Sequence, residues 1–489
     1  MKAEILKLGR NGLYYGIAMV ASKAAGFLML PVYTRYLSPA DYGVAELLMT
    51  TVDVISMIAG LGITAAIFKV RADYKTEEER NRVFSTALSL LLMFGAASAA
   101  LGLFFSAPLS RLVFGHTDFA DFFRIVFVTF FLQQGLIAVP LMFIRARENA
   151  RLFMAIGLTK LALQLTLNVT LLVILDMGLV GILLSGMLAE LIMSVYLVAH
   201  IGRESGFAFD RDKARALLGF GYPFVFTSLG SFALVFADRY FLNAYADLPT
   251  IGIYALAYKL GFMLVFLAVT PFQQVWEPQR FRIAETPAAA ATFQRVFIYL
   301  NILLLGIGLA LALFAREILY VMSDPAYWPA QYFVPLVVLA YVFHTWTFFC
   351  DFGLQKTGRS GRIAQVSAVS AGIILLLLAW WVPKFGAYGA LSALIVAYVV
   401  RFALVYRLSQ RAYPLDYGLS KALLLLAIAI ALGAVGVAAG DHSLAVAIAY
   451  KLVLLLLFVV AAYALFLTPG ERRFIQAFIK RPAFPGPNA

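Results

Sequence analysis

Long apolar runs alternate with short polar segments along the whole chain of 489 residues. Many runs reach 18 residues or more, enough for an α-helix to cross a ~30 Å hydrocarbon layer. Inside a bilayer each segment must satisfy its own backbone polar groups, so these runs predict helices, and the alternating pattern of a membrane β-barrel is absent. We predict fourteen membrane helices, near 11–33, 42–68, 83–107, 119–144, 152–174, 179–201, 214–241, 250–276, 290–315, 331–353, 363–382, 386–409, 420–438 and 443–467.

The basic residues give a topology for these helices. If the chain starts in the cytoplasm, 28 of the 39 Lys and Arg residues fall in cytoplasmic tails and loops, five in outer loops and six inside helices. Cytoplasmic loops of membrane proteins carry such an excess of Lys and Arg. We therefore predict that both termini are cytoplasmic. The five outer residues are Arg35, Arg111, Arg239, Arg316 and Lys384.

Composition supports the same class of protein. Hydrophobic residues make up 63% of the chain and charged residues 13%, against about a quarter charged in soluble domains. The net charge of +13 is explained by the basic loops, so we expect no nucleic-acid partner. The single cysteine, Cys350, excludes an internal disulfide framework and a zinc cluster. The first apolar run continues to Pro31 without a cleavage context and is interpreted as a membrane helix, not a signal peptide.

Two pairs of segments indicate an internal repeat. Residues 176–198 align with 384–406, both opening with G-x-x-G, and residues 35–48 align with 239–257, at nearly the same offset of just over 200 residues. Six helices per repeat bring both halves into the membrane the same way, which predicts a pseudo-twofold axis along the membrane normal. The predicted domains are an N-lobe at 1–205, a C-lobe at 206–411, and two extra helices with a tail at 412–489.

A polar turn, PVYTRYLSPADYGVAELL at 31–48, separates the first two helices. Pro31 can end or kink the first helix, and Ser-Pro-x-Asp from Ser38 is turn and N-cap chemistry for the second. Gly43 allows a neighbouring backbone to approach closely.

This stretch resembles the P-x-x-T-R-x-L-x-P-x-x-Y-G element of Wzx-type polysaccharide flippases, in the multidrug/oligosaccharidyl-lipid/polysaccharide exporter superfamily. The resemblance implies that the chain moves an undecaprenyl-pyrophosphate-linked oligosaccharide, such as an O-antigen or exopolysaccharide unit, across the bacterial inner membrane by alternating access. It also implies a central cavity lined by helices 1, 2, 7 and 8, a groove for the polyprenyl tail at helices 13 and 14, and polysaccharide assembly proteins as partners. The matching residues are Pro31, Thr34, Arg35, Leu37, Pro39, Tyr42 and Gly43.

Cations within the predicted helices are candidate substrate ligands. A charge at mid-bilayer costs on the order of 2.5–3.5 kcal/mol, so such residues face a cavity or a partner. Lys23 and Lys259, on cavity-lining helices by resemblance, are our first candidates for binding pyrophosphate; a salt bridge or a snorkelling lysine is the alternative. Arg401 is either a cavity cation or a packing residue. The further candidate cations for substrate binding are Lys160, Arg35 and Arg239, the last two alternatively surface anchors.

Acids on the helices are candidates for ion coupling. Glu46 and Asp53 lie on one polar face of helix 2. Asp53 is at a depth similar to Lys23, so the two form either a pair that opens with substrate or proton, or a permanent bridge. Glu190 is a candidate partner for Lys160, with helix packing as their alternative role.

Other classes of function lack their sequence signals. There is no Walker A motif, H-E-x-x-H or G-x-S-x-G, so we expect no enzymatic activity, cofactor or metal. The expected partners are the lipid-linked glycan, membrane lipids and a proton or other ion, whose identity the sequence leaves open. One rival is a multidrug antiporter of the same superfamily, which would favour an acidic site. The other is a membrane glycosyltransferase or polymerase, which would need a large outer loop.

Overall fold

The computed structural model describes residue 14 and residues 26–205, 208–438 and 443–480. These described residues form helices and turns and contain no β-strand. Eleven of their helical segments are long and apolar enough to span a membrane. The predicted all-α polytopic membrane protein is therefore confirmed, while the count of fourteen helices and the two six-helix lobes stay predictions.

The helices are numbered in chain order. Several spans contain short π-helical segments, at Phe131–Ile137, Val169–Ile174 and Val265–Val269, and a 3₁₀-helix covers Pro325–Tyr332. The helices are α1 Leu30–Tyr36, α2 Pro39–Ala59, α3 Ile63–Ala72, α4 Glu77–Phe104, α5 Ser106–Phe114, α6 Ala120–Ala146, α7 Ala150–Ile174, α8 Gly178–Ser205, α9 Arg211–Tyr245, α10 Leu248–Ile283, α11 Ala289–Leu313, α12 Ala315–Met322, α13 Val334–Lys356, α14 Ser360–Ala412, α15 Leu419–Ala438, α16 Leu444–Phe466 and α17 Pro469–Lys480.

The predicted second helix is broken into α2 and α3. Leu61 and Gly62 adopt positive φ angles of 45° and 64° between them. A Cβ on Gly62 would overlap the carbonyl oxygen of Gly221 on α9, and a Cβ on Gly221 would overlap that of Leu61. Glycine is needed at both positions because the two backbones touch there.

A tight turn recurs at the two aligned G-x-x-G segments. Gly178 has φ 54° at the start of α8, and Gly386 has φ 53° where α14 breaks into two helical halves. A Cβ on Gly181 would lie 2.9 Å from the carbonyl oxygen of Leu171, and one on Gly389 would overlap that of Trp381. The same backbone conformation thus occurs at two places 208 positions apart in the numbering, which supports the predicted internal repeat.

The described residues divide into two compact units. The first comprises those within Met1–Leu256, Tyr320–Trp328 and Ser367–Ala393. Part of its core is formed by α3, α4 and α6, where the Phe84 and Phe143 rings meet edge to face at 5.2 Å. The division at 205 and 411 concerns the sequence repeat and stays a prediction.

The second unit comprises the described residues of Ala257–Leu319, Pro329–Val366 and Leu394–Ala489. Aromatic rings fill part of its core, with Trp276 stacked on Phe349 at 5.3 Å. The indole of Trp346 donates a 2.6 Å hydrogen bond to the buried Asn301 side chain, so these two polar groups of the core are paired.

The two helices that follow the predicted repeat, α15 and α16, pack on α11 within the second unit. Lys451 on α16 is buried, and its Nζ lies 2.6 Å from Glu317 on α12. Losing one partner of a buried ion pair leaves the other charge buried and unpaired, which is costly. The Lys451–Glu317 pair therefore holds α16 in this unit.

Candidate functional site

The turn between α1 and α2 lies at the helix ends that are predicted to face the outer side of the membrane. Ser38 caps α2: its hydroxyl accepts the Asp41 backbone N–H at 3.2 Å, and its own N–H donates to the Asp41 carboxylate at 3.2 Å. Pro39 occupies the first helical position. The N-cap chemistry predicted for Ser-Pro-x-Asp is therefore confirmed.

Side chains of this turn bind the end of α12. The Thr34 hydroxyl donates to the carbonyl of Met322 at 2.8 Å, and the Arg35 guanidinium donates to the carbonyl of Val321 at 3.0 Å. The last carbonyls of a helix have no partner within the helix, and a cation stabilises the negative end of its dipole. Tyr327 completes the contact, since its hydroxyl donates to the carbonyl of Leu37 at 3.1 Å. The structure thus places Arg35 as a helix cap.

The first turns of α2 and α10 cross in direct backbone contact. A Cβ on Gly43 would overlap the carbonyl oxygen of Leu248, and a Cβ on Gly252 would overlap that of Pro39. Each glycine therefore faces the residue four positions before the other, and the two contacts are mirrored. Gly43 and Gly252 fall in the two segments that the predicted repeat aligns.

A buried ion network lies beside this crossing. Arg239 on α9 is 2% exposed and Asp238 is 1% exposed. The Arg239 Nη1 donates to Asp238 Oδ1 and to the Val235 carbonyl, both at 2.7 Å, while Nε donates to Glu46 Oε1 on α2 at 3.2 Å. The Tyr254 hydroxyl donates to Asp238 Oδ2 at 2.5 Å. The network joins α2, α9 and α10 and places Glu46 in an ion pair with Arg239.

Asp53 lies further along α2 and has a different environment. Its side chain is exposed, although it sits well inside the span Pro39–Ala72. Nearby, the Tyr240 hydroxyl donates to the Thr51 hydroxyl at 3.1 Å. No ion-pair partner of Asp53 lies within the described part of the chain, and Lys23 is outside it. A carboxylate exposed at this depth requires water and not lipid around it.

The polar face of α7 packs on α8. Lys160 Nζ lies 2.6 Å from Glu190 Oε1, and the Ser185 hydroxyl donates to Asn168 Oδ1 at 2.5 Å. Asn168 in turn donates to the Tyr33 hydroxyl at 2.9 Å. The second carboxylate oxygen of Glu190 is buried and has no hydrogen-bond partner among the described residues. The structure brings the predicted pair Lys160–Glu190 together as a bridge between helices.

Two predicted cations lie in the second unit. Lys259 is exposed within the α10 span, and Arg401 is half-buried on α14. Arg401 is close enough to Asp351 and His344 to interact electrostatically with both. An exposed lysine inside a membrane-spanning helix, like the exposed Asp53, requires an aqueous or polar surrounding.

Sequence reasoning missed a second buried cluster, centred on Arg280. It placed Arg280 in a loop after position 276, whereas α10 continues to Ile283 and Arg280 is 4% exposed. Its Nη2 donates to Gln355 Oε1 at 2.7 Å, and its Nη1 lies 3.5 Å from Asp351 Oδ1. The sequence feature that could have indicated this cluster was Asp351, a lone acid near the end of a predicted helix. Surrounding rings are Phe281, Phe348 and Phe352, 5.5–5.7 Å from the guanidinium.

Comparison with protein families identifies the chain. The model of the family described as polysaccharide biosynthesis protein matches residues 8–284, more than half of the sequence. The chain belongs to this polysaccharide biosynthesis protein family. The matched region contains the α1–α2 turn, the glycine crossing and the Arg239 network, and the resemblance inferred from the turn is confirmed at the level of the polysaccharide biosynthesis protein family.

Curated relatives of this family member are distant. The succinoglycan biosynthesis transport protein ExoT of Rhizobium meliloti (strain 1021) is 27% identical over 236 residues, 48% of this chain and 46% of that protein. The lipid III flippase of Escherichia coli (strain K12) is 26% identical over 122 residues, 25% of this chain and 29% of that protein. The alignments therefore span less than half the length of these relatives.

Solved structures share the fold of this polysaccharide biosynthesis protein. A lipid II flippase, MurJ, in an inward closed conformation aligns with a TM-score of 0.73 and 13% identity, covering 96% of this chain and all of that one. An inward-facing multidrug transporter of the MATE family aligns with a TM-score of 0.65 and 14% identity, covering 82% of this chain and 97% of that one. At such identities the likeness establishes the fold alone.

Proposed function

We propose that this family member is a flippase that moves an undecaprenyl-pyrophosphate-linked oligosaccharide from the cytoplasmic to the periplasmic leaflet of the bacterial inner membrane. The observation that carries the proposal is the exposure of charged side chains inside membrane spans, Lys259 on α10 and Asp53 on α2. A hydrocarbon environment would not stabilise either charge, whereas a polar translocation path would.

The candidate ligands differ in exposure and in the contacts that the structure describes for them. Arg239 is buried and hydrogen-bonded to its neighbours, Arg35 caps α12, and Lys160 is paired with Glu190. Lys259 is exposed and Arg401 half-buried, both in the second unit, which favours these two as cations for the pyrophosphate in a cationic central cavity. A multiply charged anion leaving water needs such partners.

The packing at the predicted outer end supports alternating access. The Gly43–Gly252 crossing brings two backbones together and the Arg239 network joins three helices, contacts that would keep that end closed in one state of the cycle. Release to the periplasm would require α2 and α10 to separate there, with loss of the Glu46–Arg239 bond. Asp53, exposed on the same helix, is the acid we assign to ion coupling.

The rival function, a multidrug antiporter, shares the fold. The multidrug transporter aligns with 82% of this chain, whereas the lipid II flippase aligns with 96%. The family match favours an anionic, lipid-linked saccharide substrate.

Glycan export in a flippase-null strain tests the proposal. Lys259→Ala should lower export more than about tenfold, because a charge-assisted contact contributes ~1.5–3 kcal/mol, and Lys259→Arg should restore much of it. Lys384→Ala is the matched control, an exposed lysine at a predicted outer loop, and should export normally. Equal membrane levels must be confirmed by immunoblot. Normal export by Lys259→Ala would refute the assigned cation, and failure of the wild-type chain on every lipid-linked glycan tried would refute the function.

A further inference from the structure

A cleft of about 780 Å³ opens in the second unit where α16 leaves the membrane. Its volume is within the ~300–1,000 Å³ of typical small-molecule sites. None of the candidate cations or acids for translocation lines it. The lining residues are Arg295, Tyr299, Ile302 and Leu303 of α11 and Leu467, Thr468, Gly470 and Glu471 around the start of α17.

The α11 wall changes character with depth. Arg295, Tyr299 and Leu303 follow one another at four-residue intervals, so they lie on one face of the helix. All three are exposed: the Arg295 side chain is 60% accessible, Tyr299 42% and Leu303 47%. At 1.5 Å per residue the row covers about 12 Å, enough to pass from the headgroup region into hydrocarbon. A cation, an aromatic ring and an aliphatic side chain in this order match a phospholipid from headgroup to acyl chain.

The other wall is held in place by α17, which turns away from the axis of α16. Leu467 is extended between the two helices, with ψ 136°. The Arg472 guanidinium donates to the carbonyls of Ala464 at 2.5 Å and Leu467 at 3.0 Å, and Gln476 donates to the Tyr463 hydroxyl at 2.9 Å. These bonds fix α17 to the end of α16, beside the cleft and at the surface predicted for the cytoplasmic end of that helix.

The rim of the cleft carries one accessible cation, Arg295, and one acid, Glu471. Glu471 is the carboxylate nearest to Arg295, at 3.7 Å. Its oxygens also accept the Tyr299 hydroxyl and the Thr468 backbone N–H, so it is already committed to the start of α17. Arg473, exposed on α17, adds a second cation close by in sequence. An accessible guanidinium over an apolar floor favours an anionic amphiphile.

We propose that this cleft binds an anionic glycerophospholipid of the surrounding leaflet, with its phosphate at Arg295 and an acyl chain along Ile302, Leu303 and Leu467. The ligand is a lipid of the bilayer and not the transported substrate, so the proposal stands independently of the flippase function. It would fix α17, and with it the end of α16, to the predicted cytoplasmic surface.

Native mass spectrometry of the full chain tests this site. The protein in detergent is incubated with equimolar phosphatidylglycerol and phosphatidylcholine of the same acyl chains. The wild type should retain phosphatidylglycerol preferentially, Arg295→Gln should lower that retention about fivefold, and Arg295→Lys should keep it, since one basic residue near a charged lipid contributes on the order of that factor. Leu303→Ser should lower retention of both lipids.

The matched control is Arg111→Gln. Arg111 is also an exposed arginine beside apolar residues, in a smaller cleft of about 400 Å³ formed with Ala107, Pro108 and Leu112 at the predicted outer end. It should leave retention unchanged, with all variants matched for thermal midpoint. Equal retention of both lipids by the wild type, or no change in Arg295→Gln, would overturn the proposal. So would increased lipid retention after removal of residues 481–489, because the chain's own tail would then be the occupant.

Discussion

Two buried arginines, Arg239 in the first unit and Arg280 in the second, are paired in different ways. Arg239 donates to two carboxylates and a carbonyl, and its main partner Asp238 also accepts from Tyr254. Arg280 makes one hydrogen bond, to Gln355, and its Nε and Nη1 have no hydrogen-bond partner among the described residues.

The difference shows where the protein is rigid and where it has room to rearrange. A fully bonded buried charge is costly to disturb, because each lost partner leaves another charge unpaired. An incompletely bonded charge already carries part of that cost. The Arg239 network is thus suited to hold the predicted outer end closed, while the Arg280 cluster, packed among aromatic rings, has donors ready for a new partner.

The largest expected effect is that of Arg239→Met. It should destabilise the protein by about 3–5 kcal/mol, because Asp238 and Glu46 would remain without their cation. A lower thermal midpoint of the purified protein in detergent would report the change. Arg124→Met is the control, because Arg124 pairs with Asp121 at 2.6 Å but its side chain is 54% exposed, and it should cost less than about 1 kcal/mol. Equal midpoints for the two variants would show that burial of the Arg239 network contributes nothing.

A smaller effect is expected for Arg280→Met, about 1–2 kcal/mol by the same measurement. One hydrogen bond and the longer ion contact with Asp351 at 3.5 Å are lost, while Asp351 keeps the Gln355 side chain, which donates to it at 2.9 Å. Arg282→Met, an exposed neighbour on the same helix, should change the midpoint little. If Arg280→Met proved as damaging as Arg239→Met, the number of hydrogen bonds would not be what separates the two clusters.

The smallest effect belongs to an ion pair outside the membrane, at Glu471. The Tyr299 hydroxyl and then the Thr468 N–H hold the pKa of Glu471 below its ordinary value of 4.5. A lowered pKa in the folded state means that the contact stabilises α17 above pH 4.5 and is lost as the pH falls through the lowered value. The protection of α17 amides against hydrogen exchange, measured relative to the intrinsic rate at each pH, should therefore fall modestly at low pH.

Glu471→Gln should remove this pH dependence, while Glu285→Gln, at an exposed pair with Lys356, should leave it in place. The stabilisation is expected to be below about 1 kcal/mol because the pair is at the surface. An unchanged pH response in Glu471→Gln would assign the effect to another group.

Much of the fold was predictable because a membrane helix is determined by the hydrophobicity of consecutive residues. Apolar runs marked most spans to within a few residues, and the Ser-Pro-x-Asp turn was read correctly. Short helices at the membrane surface, α5 and α12, were not predicted, since each is too short to produce a hydrophobic run of its own. The break between α2 and α3 was also missed, because the reason for it is a contact with Gly221 on another helix.

The sequence predicted which charged residues belong to the candidate site better than it predicted which of them pair with one another. Lys160 and Glu190, on adjacent helices, were expected to meet, and they do. Glu46 was considered for ion coupling, yet its partner is Arg239, 193 positions away. Arg280 was assigned to a loop because a charged residue after an apolar run normally ends a membrane helix.

The sequence by itself determined the class of the protein, its helical spans, the distribution of its basic residues and its family motif, because hydrophobic length and local turn chemistry act over neighbouring residues. Tertiary structure alone decided which charges are buried together and which remain exposed. The free energy of a charge in a membrane depends on the groups around it in space. Arg239 and Lys259 are basic residues only 20 positions apart in the numbering. Packing buries Arg239, which donates hydrogen bonds to its neighbours, and leaves Lys259 exposed.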